Sequence, residues 1–201
     1  MVTADFLSRM GFFVLKNFLD EEACNRFREA AALGVGKRAT VTTQGKDVYD
    51  ETARRTVQVT VNEELERDMH QRLMELRPGL ENHFGVKLTD CIPPRFLSYG
   101  VGDFFQRHED AADEEEFPEA IKTRKVSVVV FLNGPDVDNR PDTFSGGELT
   151  FYNLLRDPRL KLRGFPLQAE EGLLIAFSSR MTHEVRPVTR GNRYTLVTWF
   201  S

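Results

Sequence analysis

The pattern of apolar and polar positions changes character near residue 86. Before that point helical and strand periods mingle. Residues 12–15 read as a short strand, and an amphipathic helix is predicted over 21–33, with Asp20 placed to cap its first turn and Gly34 to stop it. Thr56-Val57-Gln58-Val59-Thr60-Val61 alternates strictly, as a half-buried strand does. Asn62 then caps a second helix to about residue 76, with Pro78-Gly79 as its stop. From residue 87 onward short apolar runs alternate with Gly, Pro and Asp clusters, which predicts strands over 95–99, 104–108, 126–132, 148–151, 173–177, 182–187 and 194–200. Such a series suits an antiparallel double sheet enclosing a pocket. The expected fold class is mainly β with flanking helices (α+β), around a double-stranded β-helix, or jelly-roll, core. Residues 1–201 are expected to form one domain, with 1–86 as helical and strand support and 87–201 as the core. The polar stretch 134–146 is long for a connection and is either a lid or a simple link.

Composition narrows the classes. A chain of 201 residues with 40% hydrophobic and 29% charged residues has the material for one buried core, so any metal in it serves chemistry rather than architecture. A net charge of -4 argues against a general nucleic-acid binder, so no nucleic-acid partner is expected. Cys24 and Cys91 are isolated and suit a reducing compartment. No basic leader opens the chain, and no apolar run approaches the ~20 residues of a membrane helix. Cytoplasmic residence and no membrane association are the expectations.

Candidate chemistry centres on His108-Glu109-Asp110, whose first and third side chains project to one side of an extended segment and offer two donors to one ion. A third donor, His183, stands 75 residues downstream in a strand-like stretch. Two imidazoles and a carboxylate on one face of a metal leave adjacent positions open, as non-haem iron(II) oxygenases require. His70 and His83 lie in helical stretches without neighbouring His or Cys and read as surface or packing residues. Arg193 opens the last strand. A guanidinium facing into a sandwich pocket needs an anion, and its fork matches a carboxylate; on a strand end it could equally face solvent.

Several ordered runs carry a family resemblance: Phe96-Leu97-Ser98-Tyr99-Gly100, Phe104-Phe105, His108-Glu109-Asp110, Phe131-Leu132-Asn133, Gly146-Gly147-Glu148-Leu149-Thr150-Phe151-Tyr152, Gly172-Leu173-Leu174-Ile175-Ala176-Phe177, and His183-Glu184-Val185 followed by Pro187-Val188, Gly191, Arg193 and Trp199. From about residue 95 to its end the chain resembles the prolyl 4-hydroxylase-like branch of the iron(II)/2-oxoglutarate-dependent dioxygenase superfamily. That resemblance implies that His108, Asp110 and His183 bind Fe(II), and that Arg193 pairs with the distal carboxylate of the co-substrate 2-oxoglutarate. It also implies that the Tyr99 hydroxyl helps hold the co-substrate; Tyr99 could instead be a core aromatic. Gly146 and Gly147 are expected where a side chain would obstruct a strand entry, and Trp199 in core packing. The implied reaction consumes O2 and 2-oxoglutarate, releases succinate and CO2, and hydroxylates an unactivated C–H of an amino acid, a peptidyl proline or another small molecule. Asp110 favours hydroxylation, because related halogenases lack this carboxylate.

Two other functions suit the same residues. One is a non-catalytic metal-binding jelly-roll domain, since a fold alone does not fix activity. The other is a nucleobase demethylase of the same superfamily, which needs a basic, aromatic-lined groove. The acidic run Asp113-Glu114-Glu115-Glu116 is either a solvated loop or a pocket rim that steers a cationic substrate.

Overall fold

A computed structural model of the chain describes residues 4–43, 46–135, 142–154 and 163–201. The first part carries α1 (Ala4–Arg9), β1 (Phe13–Leu15), α2 (Glu21–Leu33), β2 (Gly36–Arg38), β3 (Val41–Thr43), β4 (Lys46–Val48), β5 (Arg54–Arg55), β6 (Val57–Val59), α3 (Glu63–Glu75) and α4 (Arg77–Phe84). The second carries β7 (Arg95–Tyr99), β8 (Phe104–His108), α5 (Glu119–Lys122), β9 (Val126–Phe131), β10 (Phe144–Gly146), β11 (Leu149–Phe151), β12 (Phe165–Leu167), β13 (Leu174–Ser178), β14 (His183–Val185), β15 (Val188–Gly191) and β16 (Arg193–Phe200).

Local chemistry sets the helices. Asp20 accepts from the Ala23 amide and Asn62 from the Leu65 amide, each satisfying a donor that the first turn leaves open. The second predicted helix ends where expected, with Leu76 as its C-cap, but Pro78-Gly79 does not lead into a loop. Pro78 sits in the first turn of α4, where its missing N–H breaks no bond, and the stop comes later at Gly85, which has φ +65°. The stretch predicted as a strand over 182–187 ends at Val185 and resumes on a different partner at Val188, because Pro187 has no N–H to continue the ladder.

Two antiparallel sheets form the jelly roll. The larger runs β1-β13-β9-β16-β7-β6-β2 and the smaller β12-β11-β14-β8-β5. β1, β2 and β6 join the larger sheet, so pairing crosses the division at residue 86. Alternation along the central strands gives the larger sheet two distinct faces. Phe96, Val126, Val128, Val130, Leu196 and Phe200 pack with Phe27 of α2, Met69 and Leu73 of α3, and Leu80 of α4. Leu97, Tyr99, Val129, Phe131, Ile175 and Phe177 instead meet Leu149, Phe151 and Val185 of the smaller sheet. Phe151 and Phe177 touch edge to face across the sandwich with centroids 4.9 Å apart. Burying each such side chain is worth about 1.5–3 kcal/mol.

The same alternation brings polar side chains inside. Arg193 pairs with Tyr99, Thr195 with Leu97 and Val197 with Arg95, while Trp199 pairs with Ser127. Arg95, Leu97, Tyr99, Ser127, Arg193, Thr195, Val197 and Trp199 therefore share the parity that faces the smaller sheet. A slip of one residue would turn every one of them away. Residues 136–141, most of the stretch expected to be a lid or link, lie outside the described residues, and its end, Phe144–Gly146, is β10, paired with β15. No helix among the described residues is long and apolar enough to cross a membrane.

Candidate metal and co-substrate site

His108 ends β8, His183 opens β14, and the two are register partners in the smaller sheet. Asp110 follows in the loop after β8. Its own amide and that of Ala111 both donate to the Ser179 carbonyl, at 2.8 and 3.0 Å, which ties the loop to the end of β13. The spacing of these three residues predicts a shared site, and the fold brings all three together: their donor atoms lie within 4.8 Å of one another.

Orientation is fixed from outside. The Nδ1 of His108 faces the Gln106 carbonyl at 2.7 Å, and that of His183 faces the Met181 carbonyl at 2.8 Å. A ring whose Nδ1–H donates outward keeps the Nε2 lone pair for a metal. The two Nε2 atoms stand 3.6 and 3.7 Å from the Asp110 carboxylate oxygens. Ser127 donates to that carboxylate at 2.6 Å; its oxygen is also 2.9 Å from the Ser179 hydroxyl, which is free to donate to it in turn. Burial alone would push the Asp110 carboxyl up, but His183, His108 and the Ser127 hydroxyl outweigh it and hold it below the usual carboxylate range. Burial, with His108 alongside, pushes the His183 imidazole down to about 4, so it is neutral at neutral pH. Lone pairs converging in this way repel unless a cation stands between them, and the donor set fits a divalent ion.

A narrow cavity between the sheets links this cluster to Tyr99 and Arg193, walled by Leu97, Val129, Leu149 and Val197. Arg193 is 1% exposed. One guanidinium nitrogen donates to the Thr195 hydroxyl at 3.1 Å, Nε has no partner, and the group lies 5.1 Å from the centres of the Tyr99 and Phe131 rings. Among the described residues no carboxylate pairs with it, and burial pushes it down to about 10. Isolated burial of a cation is disfavoured by several kcal/mol, so the position is costly without an anion. Gly147 makes room for it: at φ +65°, a Cβ there would come within 2.9 Å of the Arg193 side chain. The Tyr99 ring is buried in the core, yet its hydroxyl makes no hydrogen bond among the described residues.

A second, larger cavity of about 900 Å³ opens on the other side of His108 and Asp110. Its basic wall, formed by Arg54, Arg95 and Arg124, is not evident from the sequence. The one available signal was Arg95, an arginine in phase with Leu97 and Tyr99 on an inward face. Trp199, expected in core packing, lines both cavities. Of the acidic run, Asp113 pairs with Arg180 in an exposed two-point contact. His70 is not a lone residue, because its Nδ1 lies 3.3 Å from the Cys91 sulfur; the packing of α3 that joins them is not written in the sequence. His83 packs edge-on to Phe13 and Phe84, as a packing residue should.

The 2OG-Fe(II) oxygenase superfamily matches residues 94–201, slightly more than half of the chain. The chain belongs to that superfamily. Among curated relatives, a PKHD-type hydroxylase of Methylobacterium nodulans is 27% identical over 150 residues, covering 73% of this chain and 60% of that protein. Another from Delftia acidovorans is 34% identical over 109 residues, covering 54% and 42%. The chain thus spans about half the length of these relatives. A crystal structure of a Pseudomonas putida prolyl-4-hydroxylase superposes with a TM-score of 0.70 at 23% identity, covering 98% of this chain and 95% of that one. A Trichoplax adhaerens prolyl hydroxylase, solved with a hypoxia inducible factor peptide fragment, also gives 0.70, at 19% identity over 99% and 87%. At these identities the likeness is one of fold, and it is the fold of a jelly-roll oxygenase.

Proposed function

We propose that this superfamily member is an iron(II)- and 2-oxoglutarate-dependent hydroxylase acting on an unactivated C–H of an amino acid, a peptidyl proline or another small molecule. In this reading residues 1–201 work as one oxygenase domain, residues 1–86 bracing the jelly-roll part. The observation that carries it is the pairing of two needs in one cavity: three converging donors that call for a cation, and a buried arginine that calls for an anion.

His108, Asp110 and His183 would hold iron(II), and Arg193 with the Tyr99 hydroxyl would hold the distal carboxylate of 2-oxoglutarate. With both bound, the centre would supply an oxidant made from dioxygen at the expense of 2-oxoglutarate, with succinate and CO2 as co-products. The chain's own residues do the rest. Ser127 keeps the Asp110 carboxylate ionised and aimed, the Gln106 and Met181 carbonyls fix both rings, and the apolar walls exclude water. The names of the relatives and the fold of the prolyl hydroxylases support hydroxylation as the outcome.

The test is anaerobic titration of the chain with iron(II) and 2-oxoglutarate, followed by oxygen and assay of succinate across amine, amino-acid and peptide substrates. Tight iron binding with succinate formed in step with one substrate is expected. Neither iron binding nor succinate from any of them would overturn the reading.

A further inference from the structure

The larger cavity is bounded on the metal side by His108 and Asp110 and on the other by three arginines drawn from distant parts of the chain. Arg54 comes from β5, whose pairing with β8 sets its guanidinium 4.5 Å from the centre of the Phe105 ring; that ring in turn stacks on His108 at 3.6 Å. Arg95 opens β7 on the inward face, 5.3 Å from the Trp199 ring. Arg124 follows α5, lies 4.0 Å from the same ring, and donates to the Asp110 carbonyl at 2.9 Å. Trp199 is thus flanked by two guanidinium groups, and all three arginines border the candidate metal centre.

Among the described residues none of the three makes an ion pair with a carboxylate, and the Nε atoms of Arg54 and Arg124 are buried without any hydrogen-bond partner. Burial and the nearby Arg54 push Arg95 down, and burial with Arg95 pushes Arg124 down to about 10; Asp110 and Asp47 pull both the other way without overcoming this. The acids around the same cavity are committed or exposed. Asp110 belongs to the metal cluster, Asp113 is bound to Arg180, Glu109 accepts from Thr182, and Asp47 accepts from Thr42. Glu114 sits in open solvent, where its field is screened within about 8–10 Å. Three like charges held together and partly out of water repel one another unless an anion joins them, and guanidinium forks suit carboxylate and phosphate oxygens.

We propose that the substrate of this site carries an oxyanion, a carboxylate or a phosphate, which Arg54, Arg95 and Arg124 bind against the Trp199 ring, beside the carbon to be oxidised. The proposal rests on the oxygenase reading for what happens to that carbon, but the anion site stands on its own geometry. It also replaces a cationic substrate, because the acidic run that would have steered one is tied up at Asp113 or exposed.

Trp199 is the chain's single tryptophan, so its emission reports on this cavity directly. The chain is titrated with glycerol 3-phosphate against glycerol, and with N-acetylglutamate against its neutral diamide. Each titration is run with and without saturating zinc and 2-oxoglutarate, which fill the neighbouring site without turnover. At least one anion should bind tenfold or more tightly than its neutral counterpart, and should do so with zinc and 2-oxoglutarate in place. The tighter of the two anions names the group. Arg95→Gln and Arg54→Gln should each weaken it tenfold or more, while Arg95→Gln leaves 2-oxoglutarate affinity within twofold. Equal binding of charged and neutral partners, affinity unchanged in both variants, or displacement of the anion by 2-oxoglutarate would each overturn the proposal and leave the oxygenase reading intact. Arginine-dependent anion binding in a chain that takes up neither zinc nor 2-oxoglutarate would do the reverse.

Discussion

Replacing Arg193 by Met should abolish 2-oxoglutarate binding while leaving the ligand-free protein as stable as the parent, or more so. The guanidinium is 1% exposed and has no carboxylate partner among the described residues, and burial takes it from its ordinary value down to about 10. At about 1.4 kcal/mol per pH unit, that difference corresponds to about 3 kcal/mol against the charged form. For a base with a depressed folded-state value the penalty is present in full below about pH 10 and is relieved only above it. Against it stand the Thr195 hydrogen bond and the contacts with Tyr99 and Phe131, together on the order of 1–3 kcal/mol. Met keeps an unbranched stem in the same space. The net expectation in the ligand-free state runs from no change to a gain of about 2 kcal/mol, or up to about 8 °C in melting temperature for a chain of this size. Zinc with 2-oxoglutarate at a hundredfold its Kd should then stabilise the parent by about 2.7 kcal/mol over zinc alone, and the variant by nothing. Urea unfolding at neutral pH, with and without each ligand, measures all of these. A ligand-free variant weakened by more than about 2 kcal/mol, or one stabilised by 2-oxoglutarate as much as the parent, would refute the reasoning, since both follow from treating Arg193 as a charge that lacks its anion.

Two further outcomes follow from neighbouring features. Gly147→Ala places a side chain at φ +65° and within 2.9 Å of both Arg193 and Val188, so stability should fall by about 1–3 kcal/mol and 2-oxoglutarate affinity with it; urea unfolding and ligand titration unchanged from the parent would contradict this. Ser127→Ala removes the 2.6 Å hydrogen bond to Asp110, and iron(II) affinity should drop about 10- to 100-fold with the fold intact; equal affinity in anaerobic titrations would show that the hydroxyl does not position the carboxylate.

The parts of this molecule that can be read from sequence are those fixed by local chemistry or by strict period. The helix α2 has the predicted bounds because Asp20 and Gly34 act within one turn of its ends, and the central strands follow alternating apolar positions. Pro78 marks the end of α3 correctly but hides α4, because a residue that breaks a helix in its middle is also a good first-turn residue of the next one. Strands such as Gly36–Arg38 and Lys46–Val48 are exposed, polar and three residues long, so pairing rather than pattern creates them. The site divides in the same way. His108 and Asp110 announce themselves by spacing, and His183 and Arg193 by the motifs around them. Arg54, Arg95 and Arg124 are scattered among 27 Lys and Arg residues, and nothing but strand register singles them out.

The register pair joining His183 to His108 also dictates when the site comes into being. Until β14 zips onto β8, the chain shows only the dyad His108 and Asp110, and closing the intervening loop draws on sheet packing rather than on metal. In the proposed function, the strands that would wall in the oxidant are the same strands that bring the three candidate metal donors together. A chain in which that pairing had not formed would offer two donors instead of three, so under the proposed function the site could activate oxygen only once its own walls are in place.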